Sequence, residues 1–175
     1  MASPDKGARA TVILVDTNVI IEAVRTRVWK ALLGSRKVET VQECWDETQR
    51  GSPHDPGYVV VNAADLAGLS AVHAVTDLER ATLALSYAGA SALDPGERDL
   101  LAHALARHER GDSVWVVSSP DRACVRAAVA LGLGDHTISL EELVQSVGVR
   151  PGPRLKEHFT SRWLSAERTN AQLGR

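Results

Sequence analysis

Short apolar runs alternate along this chain with longer stretches of helical periodicity. The first run, residues 11–15, is rich in β-branched residues, too short for a helix and typical of a buried parallel strand. The next strand candidates are "KVETV" and "SVWVVS", and weaker ones are "ASAL" and "HTIS". Strands that alternate with helices predict an α/β fold with a parallel sheet covered by helices.

Three helical stretches carry specific expectations. One helix is expected from residue 16 to about Leu33, ending near Gly34. A second is predicted before Thr76, where a "TDLE" capping box begins another helix, and the two would form a hairpin. Its apolar residues at helical spacing are Leu66, Leu69, Val72 and Val75. A terminal helix is expected to carry Leu155, Phe159 and Trp163 on one face, which either packs onto its own domain or binds a partner.

Composition bounds the class of protein. A chain of 175 residues with 44% hydrophobic and 24% charged residues is typical of one globular domain. No apolar run reaches the length of a membrane span, and the first ten residues lack the apolar core of a secretory signal. Cys44 and Cys124 show no metal-type spacing. We therefore expect a cytoplasmic protein that does not contact the membrane.

Positive charge is concentrated in two flanks, although the net charge is only -2. Residues 22–37 hold five lysines and arginines against one glutamate, and residues 150–175 hold six against two. Such flanks around an acidic centre fit phosphate-contacting surfaces beside a cation site, and solvated helix faces are the alternative. The candidates for RNA contact in the first flank are Arg25, Arg27 and Lys30.

Four acidic residues each follow a strand-like segment at the start of a helix. They are Asp16, Glu43, Glu97 and Asp121. Helix capping would explain each one taken alone. However, right-handed crossovers place all strand-to-helix junctions of a parallel sheet at one edge, so the four carboxylates should meet in one crevice. Because like charges repel and Mg²⁺ or Mn²⁺ prefers oxygen ligands, we favour a metal site over four separate caps.

The segments around these acids also resemble a known family. "VILVDTNVII", "TVQECWDE", "LDPGERDLLAHALA" and "VVSSPDRACVRAAVALGL" together look like a PIN domain, the metal-dependent ribonuclease fold of many bacterial toxins and RNA-processing nucleases. The resemblance covers about residues 11–149. It implies a three-layer α/β/α sandwich with a short central parallel sheet, in which the four acids act catalytically and bind one or two Mg²⁺ or Mn²⁺ ions.

The resemblance also assigns roles to neighbouring residues. Asn18 matches the family's small polar residue after the first acid, and Ser119 stands where the family usually has threonine. Either would bind a ligand or a metal-bound water, or serve as a turn or cap residue. Asp99 is an alternate third ligand to Glu97. The two lie about 200° apart on an ideal helix, and Glu97 is preferred because it is nearer the junction.

These expectations give a domain plan and a function. The plan is a flexible N-terminus over residues 1–10, a nuclease domain over 11–149, and a linker with an amphipathic helix over 150–175. The resemblance implies an endoribonuclease that cuts single-stranded or looped RNA, a toxin paired with an antitoxin protein, and a homodimer. The alternative is a PIN-like RNA- or protein-binding module with little or no catalysis.

Overall fold

A computed structural model describes residues 11–112 and 114–175, so the expected N-terminal segment 1–10 lies outside the described residues. The described chain forms one sheet of four parallel strands in the order β3-β2-β1-β4. The strands are β1 (Val12–Val15), β2 (Lys37–Val41), β3 (Ala71–His73) and β4 (Trp115–Ser118). Every pairing is parallel, which confirms the predicted α/β class.

Helices connect the strands and cover both faces of the sheet. Between β1 and β4 they are α1 (Thr17–Arg25), α2 (Trp29–Ser35), α3 (Gln42–Thr48), α4 (Ala63–Leu66), α5 (Asp77–Ser86) and α6 (Pro95–Glu109). After β4 they are α7 (Arg122–Ala130), α8 (Leu140–Ser146) and α9 (Ser161–Gln172). None of the helices in the described residues is long and apolar enough to cross a membrane.

The side chains of β1 alternate between two cores. Leu14 packs with Leu100 and Leu101 of α6 on one face of the sheet. Ile13 packs with Ile20 of α1 and with residues of α2 and α8 on the other face. Successive side chains of a strand point to opposite faces, so a central strand whose residues are all buried requires helical cover on both sides. The sequence prediction of a three-layer sandwich around a short sheet is therefore confirmed.

Two of the predicted helices are wrong. The helix expected up to Leu33 is interrupted after α1, because Arg27 takes a left-handed backbone conformation with φ 63° before α2 begins. The helix expected before Thr76 is a short α4 followed by strand β3, whose backbone pairs with β2 from Glu39 to Val41. Spacing of three residues over so short a run does not distinguish a helix from a strand.

The weaker strand predictions also differ from the structure. Residues of "ASAL" form the 3-10 turn Ala90–Ala92. In "HTIS", Thr137 makes a single parallel bridge to Val117 at the outer edge of β4. Such short apolar segments carry too few residues to fix their conformation without a neighbouring strand.

The terminal segment packs onto its own domain. Helix α9 begins only at Ser161, so Leu155 and Phe159 precede it, and the predicted three-residue stripe along one helix is wrong. Leu155 and Phe159 are instead buried in the same core as α1 and α8. The exposed Arg122 of α7 pairs with Glu167 of α9 at 3.0 Å. Leu155 and Phe159 thus anchor the terminal segment, residues 150–175, to the core of the sheet domain.

Candidate functional site

The site begins where β1 and β4 end side by side. Val15 pairs with Ser118, and the amide of Asp16 donates a hydrogen bond to the Ser118 carbonyl at 3.1 Å. Helices α1 and α7 then start next to each other at this edge of the sheet. The parallel topology therefore brings the regions of Asp16 and Asp121 together, as expected for the carboxyl edge of an open α/β sheet.

Asp16 is a buried carboxylate without a capping role. It occupies the N-cap position of α1, but its side chain makes no cap hydrogen bond. Ser119 Oγ donates to Asp16 Oδ2 at 3.2 Å, and the thiol of Cys44 lies 3.8 Å from Oδ1. Burial raises the pKa of Asp16 to about 6, and the charges of Glu47 and Asp121 act in the same direction. Capping thus does not explain why Asp16 is buried.

Glu97 is the second carboxylate with a raised pKa. It lies in the first turn of α6, where its side chain accepts one long hydrogen bond, 3.4 Å, from the Asp94 amide. Burial raises the pKa of Glu97 to about 8, and the charges of Asp121, Asp16 and Asp94 add to this effect. The structure therefore places Glu97 within electrostatic range of both Asp16 and Asp121.

Asp121 caps α7 and faces the same site. Its Oδ1 accepts hydrogen bonds from the amides of Ala123 at 2.6 Å and Cys124 at 3.1 Å. Ser119 Oγ accepts from the Asp121 amide at 3.2 Å while it donates to Asp16. Ser119 thus links two of the acids, and the cap fixes the direction of the Asp121 carboxylate.

Glu47, which was not predicted as a site residue, is the glutamate of α3 that contacts the helix starts around the cluster. Glu43 is partly exposed and pairs with Arg50 at 2.9 Å. One turn later on α3, Glu47 accepts hydrogen bonds from Thr17 Oγ1 at 2.6 Å and from the Gly96 amide at 3.0 Å. Its charge also contributes to the raised pKa of Asp16. The available signal was spacing, because Glu47 lies one helical turn beyond Glu43.

Gly96 makes this arrangement possible. A Cβ atom at position 96 would lie only 2.5 Å from Glu47 Oε2, closer than such atoms approach in proteins. The absence of a side chain therefore lets the start of α6 touch the Glu47 carboxylate. This contact fixes α3 against α6 beside Glu97.

The remaining predicted site residues are not among the four carboxylates of the cluster. Asp99 is buried, but it accepts two hydrogen bonds from Arg80 at 2.8 and 2.7 Å. It therefore belongs to an ion pair between α5 and α6. Arg25 is engaged by Glu22 at 2.6 Å, while Arg27 and Lys30 are exposed. Asn18 is exposed in the first turn of α1. Of these residues, only Asn18 lines the cleft beside the cluster.

That cleft has a volume of about 480 Å³ and opens next to Asp121. It is lined by Asn18 and Arg122 at the starts of α1 and α7, and by Lys156, His158 and Trp163 of the terminal segment. Carboxylates, cations and aromatic rings thus border one open space, which a polar, charged ligand of nucleotide size would suit.

The donor set is suited to a hard divalent cation. Asp16, Glu47, Glu97 and Asp121 supply oxygen ligands only, and within residues 11–112 and 114–175 none of them forms an ion pair with a basic side chain. In that same part of the chain, no three His, Cys, Asp or Glu side chains are arranged so that they could hold a metal ion. Mg²⁺ commonly uses one or two carboxylates together with water and substrate phosphates, and Asp16 and Glu97 can supply these.

Comparisons of the chain with protein-family models, with curated proteins and with solved structures gave no match. The α/β fold, with a four-stranded parallel sheet flanked by helices, is established by the structure alone. The carboxylate cluster and the cleft beside it are therefore the features of the structure that bear on function.

Proposed function

We propose that the protein is a PIN-like, metal-dependent endoribonuclease that hydrolyses phosphodiester bonds of single-stranded or looped RNA. The observation that carries this proposal is Asp16, a buried carboxylate whose side chain makes no helix-cap hydrogen bond. Its pKa is raised by burial and by neighbouring carboxylates. Carboxylates with pKa values perturbed in this way cluster at functional sites. The four sequence segments that resemble a PIN domain support the same reading.

Each residue of the cluster has a defined task in this proposal. Asp16 and Glu97 would hold Mg²⁺ or Mn²⁺ together with water and substrate phosphates, and the charge of Asp121 would add to the attraction for the ion. When bound, the ion would supply an activated water and charge stabilisation for the transition state at phosphorus. Ser119 orients Asp16 through its 3.2 Å hydrogen bond. Glu47 positions the starts of α1 and α6 around them.

The biological role that we propose is that of a toxin neutralised by an antitoxin protein, acting as a homodimer. The resemblance to PIN domains supports both parts. The second candidate function is a PIN-like binding module with little catalysis, and the absence of a three-residue metal group among the described residues favours it.

Digestion of single-stranded and duplex RNA by the purified protein separates the two functions. The nuclease should cut single-stranded RNA in Mg²⁺ or Mn²⁺, lose activity in EDTA, and regain it when Mn²⁺ is added in excess. Binding of RNA without any turnover in either metal would favour the binding module. Equal cleavage in EDTA would contradict a metal-dependent mechanism.

A further inference from the structure

The terminal segment and Asp121 of the carboxylate cluster border one cleft. One wall includes Asn18 and Asp121 at the starts of α1 and α7, and a second wall includes Lys156, His158 and Trp163. These last three residues belong to a stretch outside the four segments that resemble a PIN domain. The cleft is therefore built partly by residues to which the proposed function assigns no role.

A buried carboxylate holds this second wall in place. Glu22 is only 2% exposed, and it accepts hydrogen bonds from the Lys156 amide at 2.9 Å and from Arg25. Arg25 in turn donates to the Arg154 carbonyl at 2.7 Å. Burial raises the pKa of Glu22, but the hydrogen bonds from Arg25 and Lys156 outweigh this effect and hold the pKa below its usual value. The wall is thus fixed to α1 by an ionised anchor.

The charge on this wall suits a phosphate group. The Lys156 side chain is exposed, and among the described residues no carboxylate lies within ion-pair distance of its ammonium. By contrast, Arg122, which also lines the cleft, is paired with Glu167 at 3.0 Å. An exposed ammonium without an ion-pair partner can bind phosphate oxygens, and because Asp121 lines the same cleft, the same phosphate would approach an ion held at the cluster.

The aromatic groups on the wall suit a base. Trp163 is half-buried with its ring bordering the cleft, and the ring of His158 lies 6.5 Å away in an edge-to-face arrangement. Phe159 packs below them in the core. Bases stack on such rings only when they are free of a duplex, so this surface favours a single strand.

From these contacts we propose that Lys156, His158 and Trp163 form a nucleotide subsite of the cleft, in which Lys156 binds a backbone phosphate and Trp163 stacks the adjoining base. This subsite rests on the proposed ribonuclease function. It assigns the terminal segment to substrate binding, and it selects single-stranded RNA over duplex RNA.

Binding of a labelled single-stranded RNA oligonucleotide, measured by fluorescence anisotropy at several salt concentrations, tests the subsite. Every variant is made in the full chain carrying Asp16→Asn, which serves as the parent and should not cleave the RNA during the titration. Each protein is measured in Mg²⁺ and in EDTA. Lys156→Gln should reduce the slope of log K against log salt by about 0.7, the value for one phosphate contact on a single strand. Lys37→Gln is the control outside the cleft, at the start of β2, where the ammonium pairs with Glu39 at 3.5 Å, and it should leave the slope unchanged.

The aromatic part has its own variants. Trp163→Leu should weaken binding about tenfold without changing the salt slope, while Trp163→Phe should retain most of the affinity because it keeps a ring. A thermal melt identifies loss of folding in Trp163→Leu, in which case the exposed His158→Ala replaces it and should weaken binding in the same sense.

The outcomes separate the subsite from the ribonuclease. Binding that is unchanged by Lys156→Gln, or absent in the parent, overturns the subsite. A wild-type protein that cleaves RNA while Lys156→Gln binds normally leaves the nuclease standing without this subsite. A wild-type protein that never cleaves, but binds RNA through Lys156, retains the subsite and contradicts the ribonuclease.

Discussion

Thr17 Oγ1 donates a hydrogen bond of 2.6 Å to Glu47 Oε2, and this bond joins the first residue of α1 to the last turn of α3. The other oxygen of Glu47 accepts from the Gly96 amide, so one carboxylate ties together three helices around the cluster. Glu43 makes no such contact, because it pairs with Arg50 at the surface. Of the two glutamates of α3, Glu47 therefore belongs to the site.

Replacing these two glutamates should give opposite results. We expect Glu47→Gln to lower RNA cleavage and Mn²⁺ affinity by roughly 10–100-fold, the range for groups that orient metal ligands. Glu43→Gln should change both by less than about twofold, since surface ion pairs contribute little. Cleavage rates and Mn²⁺ titrations of both variants provide the check. A Glu43→Gln protein as impaired as Glu47→Gln would refute this assignment.

The acidic pair on α6 allows a second comparison. Glu97→Gln should abolish most cleavage and leave stability equal or higher in EDTA, since it removes a repelled carboxylate. Asp99→Asn should instead destabilise the fold by about 1–3 kcal/mol, because it weakens two hydrogen bonds from Arg80, while the folded variant keeps its cleavage rate. Urea melts and cleavage assays distinguish the two. If Asp99→Asn were inactive but fully stable, Asp99 would be the ligand.

Alanine at Gly96 should disturb the contact with Glu47. The new Cβ would overlap Glu47 Oε2, so we expect a loss of about 1–3 kcal/mol of stability together with reduced activity. Gly34 is a matched control on α2, because a Cβ there meets no atom within 4 Å. Gly34→Ala should stabilise the protein by about 0.5–1 kcal/mol through helix propensity. Equal stabilisation by both alanines in thermal melts would show that α6 does not need the glycine.

The raised pKa values predict how stability depends on pH without metal. In the folded state the pKa of Asp16 is about 6 and that of Glu97 about 8, against ordinary values of 3.8 and 4.5. Between about pH 4 and pH 8 the folded state therefore binds more protons than the unfolded chain, and the free energy of unfolding falls as pH rises. Asp16 alone accounts for roughly 3 kcal/mol of this loss once the pH exceeds 6.

Urea melts at pH 5 and pH 8 in EDTA measure this loss. Asp16→Asn should show a flatter pH profile than the wild type and greater stability at pH 8. Mn²⁺ should restore stability to the wild type at pH 8, because it binds the folded state. Glu22 and Glu79 have lowered pKa values, so their contribution is lost only as the pH falls through those values. Profiles that coincide for the two proteins would argue against a strained Asp16.

Much of the fold was predictable because its signals are local. The apolar runs at β1, β2 and β4 identified three of the four strands, and parallel topology alone placed Asp16 near Asp121. Strand β3 was missed because three residues carry no usable periodicity, and its identity depends on pairing with β2.

The differences at the site have another origin. Glu43 was predicted from its place at a strand-to-helix junction and from the resemblance to a PIN domain, yet which turn of α3 faces the cluster depends on how that helix packs against α1 and α6. The same limit applies to the terminal segment. Leu155 and Phe159 were assigned to one helix, whereas burial of both in the core sets its course along the cleft. Long-range packing of this kind leaves no trace in local spacing.

The cleavage rate of one fluorescent single-stranded RNA by the wild type and by Asp16→Asn, in Mn²⁺ and in EDTA, tests the central claim most directly. We expect the wild type to cut only in Mn²⁺, and the folded Asp16→Asn protein to be at least about 100-fold slower. Circular dichroism of both proteins controls for folding. Cleavage by Asp16→Asn at the wild-type rate, or cleavage by the wild type that is undiminished in EDTA, would contradict a metal-dependent nuclease centred on Asp16.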